Sequence, residues 1–536
     1  MYPAECAARF AYANQGGTAD NLSVLGKEFY FFATGGFLIS KTRKGLQKMF
    51  KPTLTEAKTM SGYDIVPLSV EMYADLYTPM GVMKTLKSIS KHCFMLESAE
   101  DNLTWGRYTF LGFEPRMKIT AQDGMVKISG DGLNEEETCT LDDPIKRVQE
   151  ILDKYKAPKI KGLPPFCGGL VGYFAYDYAK YYEPSLSIKS TDRCHFRDID
   201  LMLFDKVIAF DHYRQKIILI VNIRTDNLEA EYERGKVELE YLQKMIINGT
   251  RNEVPAAKLK SDFKALFSKE EYCRMVQKAK DYIKEGDIFQ VVLSNRFEAD
   301  FEGSLFDTYR VLRSINPSPY MFYFSGTDFE IAGASPETLV KLQDGKLYTF
   351  PLAGTRPRGK TDEEDQALEK ELLSDEKELA EHNMLVDLGR NDLGKISKFG
   401  TVNVDKYMNV LRFSHVMHIG SVVSGDILDG KTGLDAIGAV LPAGTLSGAP
   451  KLRAMEIIDE LEQCKRGIYG GAVGYLDFTG NMDTCIAIRL AYKKNNQVFI
   501  RSGAGIVADS NPESEYQECL NKSMAVKKAL EESQNM

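Results

Sequence analysis

The stretch Arg501-Ser502-Gly503-Ala504-Gly505-Ile506-Val507-Ala508-Asp509-Ser510-Asn511-Pro512-Glu513-Ser514-Glu515-Tyr516-Gln517-Glu518 leaves a strand, passes two glycines and enters a helical pattern over Ser514–Leu530. Glycines let backbone N–H groups approach an anion closely. Glu515 and Glu518 stand at i and i+3 on one helix face, where like charges repel by roughly a few tenths of a kcal/mol unless a cation offsets them. The spacing recurs upstream at Glu378 and Glu381, in the helical pattern Ser374–Leu388. Two such faces brought together offer four carboxylates to one hard divalent ion, and Mg2+ suits all-oxygen donors. Either pair alone says little, because 76 acidic residues produce the spacing by chance, as at Glu97/Glu100 and Glu456/Asp459.

Pro351-Leu352-Ala353-Gly354-Thr355-Arg356 is a second glycine-bearing stretch that follows a strand. Arg356, Arg489 and Arg501 can supply bidentate carboxylate contacts beside these segments; ordinary turns would equally account for the glycines. No GxGxxG lies between a strand and a helix and neither stretch contains GxxxxGK[ST], so neither is a nucleotide cradle. His415 and His418 lie three apart in the alternating run Arg412–Ser424. On a strand they point to opposite faces, which argues against joint metal ligation. His418 fits a general base or acid near neutrality, or a hydrogen-bonded core histidine. GxSxG and HExxH are absent.

Composition frames these candidates. The chain has 536 residues, 43% hydrophobic and 27% charged, with a net charge of −8. That mix supports a large core and excludes collagen-like, coiled-coil and disordered classes. An acidic chain without a basic run does not fit a nucleic-acid or anionic-membrane binder. The longest stretches free of charge, Gly162–Tyr176 and Ala436–Pro450, contain Gly and Pro and are too short for a membrane span. Nine dispersed cysteines without a CxxC suggest reduced thiols and a cytoplasmic address.

Met117–Gly130 and Asp200–Asn222 read as hairpins and Asp226–Ile247 as a charged amphipathic helix. Asn248–Ser261 is the best candidate linker. Ser268 with Glu271 forms capping-box spacing ahead of a helix to Glu285, and the strand Asp287–Phe297 follows. Gly168–Tyr173 and Gly470–Tyr475 echo one another and suggest two similar strand entries.

Longer motifs then add up. Gly286–Ser294, Gly333–Glu337, Pro351–Gly359, Glu381–Asp392, Leu441–Lys451 and Arg501–Glu518 stand in the order and spacing of the chorismate-binding enzymes. Leu96-Glu97-Ser98-Ala99, Gly106-Arg107-Tyr108 and Gly168–Tyr178 extend the match into the first half. The chain resembles this family from about Met49 onward, and most closely its anthranilate-forming members.

The resemblance implies an α+β fold of two large facing antiparallel β-sheets flanked by helices. Regions 49–255 and 262–536 would interleave, the first carrying part of a tryptophan regulatory site and the second the chorismate-binding catalytic region. Residues 1–48 have no counterpart and are expected to lie outside the fold, with Met49 as an alternative start.

It further implies a Mg2+-dependent lyase of tryptophan biosynthesis that converts chorismate and ammonia to anthranilate and pyruvate. Glu381 and Glu518 would hold the ion, with Glu378 and Glu515 partnering it through water. Gly354, Thr355, Tyr469, Arg489, Gly503, Ala504 and Gly505 match the substrate contacts. Glu337 would protonate the departing hydroxyl, His418 take the C2 proton and Thr445 orient the substrate. Gln290 stands where isochorismate- and salicylate-forming relatives carry a water-activating lysine, so it points to ammonia as nucleophile. Ala353 stands where aminodeoxychorismate-forming relatives usually carry a lysine.

Ser98, Asn316, Pro319, Tyr320 and Met321 match the feedback site for tryptophan. No glutaminase elbow appears, so a separate glutamine amidotransferase subunit is implied, in a heterotetramer. The alternatives are 4-aminodeoxychorismate synthase component I and a non-catalytic chorismate- or tryptophan-binding regulator.

Overall fold

The two echoing stretches become neighbours. In a computed structural model, strand Gly169–Phe174 pairs antiparallel with Ala472–Asp477, and Gly172 stands opposite Gly474. The structure describes residues 49–99, 106–130, 137–140, 143–192, 194–412 and 416–536; the expectations for residues 1–48 and for His415 fall outside them. Phe50–Met536 forms one compact unit.

Around that pair runs a 12-stranded sheet. Its path is Leu352–Pro357, Val416–Asp426, Lys346–Thr349, Thr338–Gln343, Met482–Ile486, Ala472–Asp477, Gly169–Phe174, Ile199–Phe204, Met117–Gln122, Met125–Gly130 and Glu137–Thr140, with Asn403–Arg412 beside Val416–Asp426. A 13-stranded sheet faces it. Its path is Ile65–Tyr73, Lys216–Arg224, Lys206–Asp211, Tyr108–Phe113, Cys93–Glu97, Tyr320–Ser325, Phe329–Ser335, Leu490–Lys494, Gln497–Ile506, Gln290–Glu302 and Lys258–Leu259. Lys264–Ala265 and Gly448–Ala449 also pair with Gln290–Glu302. Each path joins one block of strands from the first half of the chain to one block from the second, at Cys93–Glu97 beside Tyr320–Ser325 and at Gly169–Phe174 beside Ala472–Asp477, so the halves share both sheets across the Asn248–Ser261 segment but do not interleave strand by strand.

The pleat explains the layers. Lys216–Arg224 is apolar almost throughout, which requires cover on both faces. Ile218 and Ile220 enter an aromatic-rich core shared with Phe204, Tyr173 and Tyr475 of the other sheet. Ile217, Leu219, Val221 and Ile223 enter a core with Tyr232, Leu239 and Leu242 of helix Leu228–Asn248. The 12-stranded sheet buries its outer face against helices Pro144–Leu152, Glu376–Gly394 and Gly433–Val440. The result is helix on sheet on sheet on helix.

Several elements correct the sequence reading. Asp200–Asn222 is a hairpin only from Lys206 onward, where Lys206–Asp211 turns back on Lys216–Arg224; Ile199–Phe204 belongs to the other sheet, and the chain crosses between them at Asp205. The strand expected from Asp287 begins at Gln290 and runs to Glu302. Neither glycine-bearing stretch is a loop after a strand. Gly503 and Gly505 lie inside Gln497–Ile506, and Gly354 lies inside Leu352–Pro357. The capping box of Ser268 and Glu271 is present on helix Lys269–Glu285.

Candidate active site

Glu337 sits where the chain leaves the 13-stranded sheet at Ser335 and enters the 12-stranded sheet at Thr338. Its backbone is held from both sides: Ile486 N–H donates to Glu337 O (2.9 Å), and Glu337 N–H donates to Ser335 Oγ (3.3 Å). Thr445, in the short 3-10 turn Gly444–Leu446, donates its hydroxyl to Glu337 Oε2 (3.1 Å). Burial pushes the Glu337 carboxyl above its ordinary range, with the Thr445 bond and the charges of Arg489 and Lys522 acting in the opposite direction. A carboxylic acid so placed retains its proton to higher pH and can deliver it.

The three candidate arginines separate cleanly. Arg356 is bound by Glu371 (3.0 Å), Asp375 (2.8 Å) and Glu378 (3.1 Å). Arg501 is bound by Glu462 (2.6 Å) and Ser294 (2.8 Å). Their charges are already committed, which removes both from the expected anion contacts. Arg489 is half-buried, yet it makes no ion pair and no side-chain hydrogen bond among the described residues, and Glu337 is the charge that bears on it. An arginine taken from water without a carboxylate is the feature an anionic ligand completes.

His418 is set by a bulge. Leu352–Pro357 pairs with Val416–Asp426 except for an extra residue between Ala353 and Thr355, which is Gly354 at φ +73°. Only glycine adopts that angle at little cost. The bulge brings Thr355 opposite His418. Thr355 Oγ1 lies 2.9 Å from Nδ1, and Gly354 O lies 3.1 Å from it. A carbonyl can only accept, so Nδ1 carries the proton and Nε2 the lone pair. Burial lowers the His418 pKa below its ordinary value, keeping the ring neutral and basic.

The acidic pairs also lie within electrostatic reach of one another. Glu378 and Glu381 ride on helix Glu376–Gly394, capped by Asp375, and Glu515 and Glu518 on helix Pro512–Ser533, capped by Asn511. Burial first, then the charge of Glu378, raises the Glu381 carboxyl, and Glu518 acts in the same direction. Burial raises Glu515 as well, with Glu518 adding to it. Sequence reading missed Lys522, one turn beyond Glu518 and 2.7 Å from it, which bears on Glu337, Glu381 and Glu515. Its only sequence signal is the i+4 spacing. Among the described residues no group of three or more acidic, Cys or His side chains already forms a metal cage. The all-oxygen donor set and the raised carboxyls nevertheless fit a hard divalent ion that would offset their repulsion.

Gly503, Ala504 and Gly505 pair with Ser294, Leu293 and Val292. A Cβ on Gly503 would stand 2.4 Å from Leu293 O, and one on Gly505 would stand 2.7 Å from Gln290 Nε2. These glycines therefore admit close strands and the Gln290 amide; they are not a loop cradle. Tyr469 is 4% exposed on the adjoining turn, with the Arg466 and Arg501 guanidiniums 5.9 and 6.0 Å from its ring centre. The largest cavity described, about 1020 Å³, lies elsewhere, between His92, Lys118 and Arg197.

The candidate effector residues gather less completely. A cavity of about 120 Å³ between the sheets is lined by Leu96, Ser98, Pro319, Tyr320, Met321, Tyr475 and others. Tyr320 and Met321 face opposite sides of their strand, so only the Tyr320 ring joins the core between the sheets; Met321 packs under the helices. Asn316 does not line the cavity: it ends helix Phe306–Ile315.

Against this geometry stand the comparisons. Residues 91–528 match the chorismate binding enzyme family, and the chain belongs to it. It is 47% identical over 499 residues to the anthranilate synthase component 1 of Acetivibrio thermocellus, covering 90% of this chain and 99% of that one. The crystal structure of anthranilate synthase component I from Streptococcus pneumoniae TIGR4 superposes with a TM-score of 0.68 at 38% identity, over 85% and 98% of the two chains. The menaquinone-specific isochorismate synthase of Escherichia coli shares the fold, with a TM-score of 0.65 at 19% identity over 89% and 98%. No described helix is long and apolar enough to cross a membrane.

Proposed function

We propose that this chain converts chorismate and ammonia to anthranilate and pyruvate, the entry step of tryptophan synthesis. The observation that carries the reading is a half-buried acid and a half-buried base served by one uncommitted arginine. Arg489 bears electrostatically on both Glu337 and His418. It would take a carboxylate of chorismate, with Tyr469, Thr355 and the Gly503–Gly505 strand shaping the rest of the site. Ammonia adds at C2 while the 4-hydroxyl departs; Glu337 donates the proton that lets it leave as water. In the second half-reaction His418 Nε2 takes the C2 proton, the bond to the enolpyruvyl oxygen breaks, pyruvate leaves and the ring becomes aromatic.

Glu381 and Glu518 would hold Mg2+, with Glu378 and Glu515 beside them. Bound there, the ion would supply charge stabilisation at the ring carboxylate. Gln290, an amide, cannot activate water as a base, which favours ammonia as nucleophile. A glutamine amidotransferase subunit would deliver that ammonia. Tryptophan would occupy the cavity beside Ser98 and Tyr320 as a feedback inhibitor, and Met321 and Asn316 would shape it through the backbone. The test is to incubate the purified chain with chorismate, Mg2+ and ammonium and identify the products. Anthranilate with pyruvate is expected; aminodeoxychorismate, or unchanged chorismate, would refute the reading.

A further inference from the structure

Beneath the proposed substrate contacts lies an ionic node that the residues above leave unexplained. Glu462, Arg466 and Arg501 have side chains no more than 1% exposed. Glu462 closes helix Lys451–Glu462 and takes every donor within reach. Ser294 N–H (2.8 Å), Ser294 Oγ (2.9 Å) and Arg466 Nη2 (2.6 Å) donate to Oε1; Arg466 Nε (3.0 Å) and Arg501 Nη2 (2.6 Å) donate to Oε2. Burial of ions is costly, and a chain that only needed stability would do as well with apolar packing here.

What the node holds is specific. Arg466 Nη1 donates to Leu446 O (2.6 Å), the residue after Thr445, and Nη2 donates to Val292 O (2.7 Å), on the strand that starts at Gln290. Arg501 Nη1 donates to Lys465 O (3.1 Å) from the strand that carries Gly503–Gly505. Val292 N–H donates in turn to Ser447 O (2.9 Å). Three elements proposed to touch substrate, the Thr445 turn, the Gln290 strand and the glycine strand, thus meet at one carboxylate. The planar fork of arginine reaches two carbonyls and a carboxylate together, which a lysine ammonium on a single point cannot.

We propose that Arg466 is a positioning residue: clamped by Glu462, it fixes the Gly444–Leu446 turn so that the Thr445 hydroxyl meets Glu337. The proposal rests on the reading of the site given above. It acts through Thr445, so its signature is coupling between the two positions rather than a loss of fold.

The test is a double-mutant cycle of Arg466→Lys and Thr445→Val, with kcat and KM for chorismate measured in ammonium and Mg2+, and melting temperature followed alongside. Arg466→Lys is expected to lower kcat/KM by roughly 10- to 100-fold through misplacement of the turn. The double variant should lose much less than the product of the two single losses. Multiplicative losses, or wild-type kcat/KM in folded Arg466→Lys, would overturn the proposal. Ser294→Ala, which removes a hydroxyl from both Glu462 and Arg501 and keeps all charges, runs in the same cycle and decides the question if Arg466→Lys does not fold. A wild-type chain that leaves chorismate unchanged would overturn the reading of the site, and the proposal with it; turnover with no coupling overturns the proposal alone.

Discussion

Two glutamates divide the molecule. Glu97, at the end of strand Cys93–Glu97, accepts from Tyr309 (2.7 Å), from Arg313 twice (2.7 and 3.2 Å) and from Thr109 (3.3 Å). Glu337 accepts from one hydroxyl, at 3.1 Å. The first carboxylate is paired with a cation and surrounded by donors; the second is desolvated, with its proton affinity raised. Residue type is the same, although Glu97 is buried and Glu337 only partly so. The count of partners is what separates a carboxylate that ties a helix to a sheet from one that can move a proton.

The sharpest way to break that comparison is to remove the same charge from each. Glu337→Gln should lower anthranilate formation by roughly 10²- to 10⁴-fold, the scale of a lost general acid, and leave the melting temperature unchanged or higher. Glu97→Gln should do the reverse: turnover within about twofold, but a stability loss of about 1–3 kcal/mol from a weakened charged hydrogen-bond set. Denaturant titration and steady-state assays on both variants decide it. Equal effects on turnover would erase the distinction.

Histidines extend the contrast. His212 and His418 are both lowered by burial, and each meets a threonine hydroxyl. Only His418 has its proton fixed on Nδ1 by a carbonyl, across a bulge that faces the acidic helices. His418→Ala should therefore cut anthranilate formation by roughly 10²-fold or more while chorismate is still consumed, so that the aminated, pyruvate-bearing intermediate accumulates. Chromatography of a stopped reaction checks this. Loss of chorismate consumption would assign His418 to binding or folding.

Much of this was legible in the chain. The capping box at Ser268, both acidic helices and the Met117–Gly130 hairpin follow from local spacing, and the family motifs carry the architecture. Sheet membership was not: one residue, Asp205, separates strands of opposite sheets, and no periodicity marks the crossing. The arginines were misjudged for a similar reason. Arg501 and Glu462 lie 39 positions apart, so sequence offered Arg501 as an anion contact while the fold had already given it a carboxylate. Arg489 has no such partner among the described residues.

The acidic cluster sharpens the comparison through pH. The raised Glu381 and Glu515 carboxyls bind protons more tightly in the folded state than in the unfolded chain. Their contribution to stability is therefore fully present below the ordinary value of 4.5 and is lost as pH rises through the raised values. A divalent cation offsets that loss. Saturating Mg2+ should raise the melting temperature by roughly 1–3 °C near pH 8, with the gain fading as the pH approaches about 4.5. In Glu381→Gln the metal-free protein should melt no lower than wild type, and the Mg2+ gain should shrink. A pH-independent gain would place the ion elsewhere.

The smallest effect on turnover is expected on the Glu97 side of the molecule. Ser98 lines the cavity between the sheets with Tyr320 and Tyr475, next to the carboxylate that Arg313 and Tyr309 hold fixed. None of the groups that move protons lies there. If tryptophan binds in that cavity, a leucine at position 98 fills space the indole needs and removes a hydroxyl that can meet its polar end, worth about 1 kcal/mol net and more if a charged group loses its partner. Feedback is a coupling free energy between sites, so weakening the effector need not disturb the acid, the base or the acidic helices. Ser98→Leu should keep turnover within about twofold of wild type without tryptophan, and should need at least about tenfold more tryptophan for half inhibition, a shift of about 1.4 kcal/mol. Titrating tryptophan into both proteins during anthranilate formation, with calorimetry on the same samples, separates the outcomes. Unchanged inhibition removes Ser98 from the effector site. An equal fall in uninhibited turnover would show that the region packed around Glu97 is not independent of the chemistry, and the contrast between the two glutamates would fail with it.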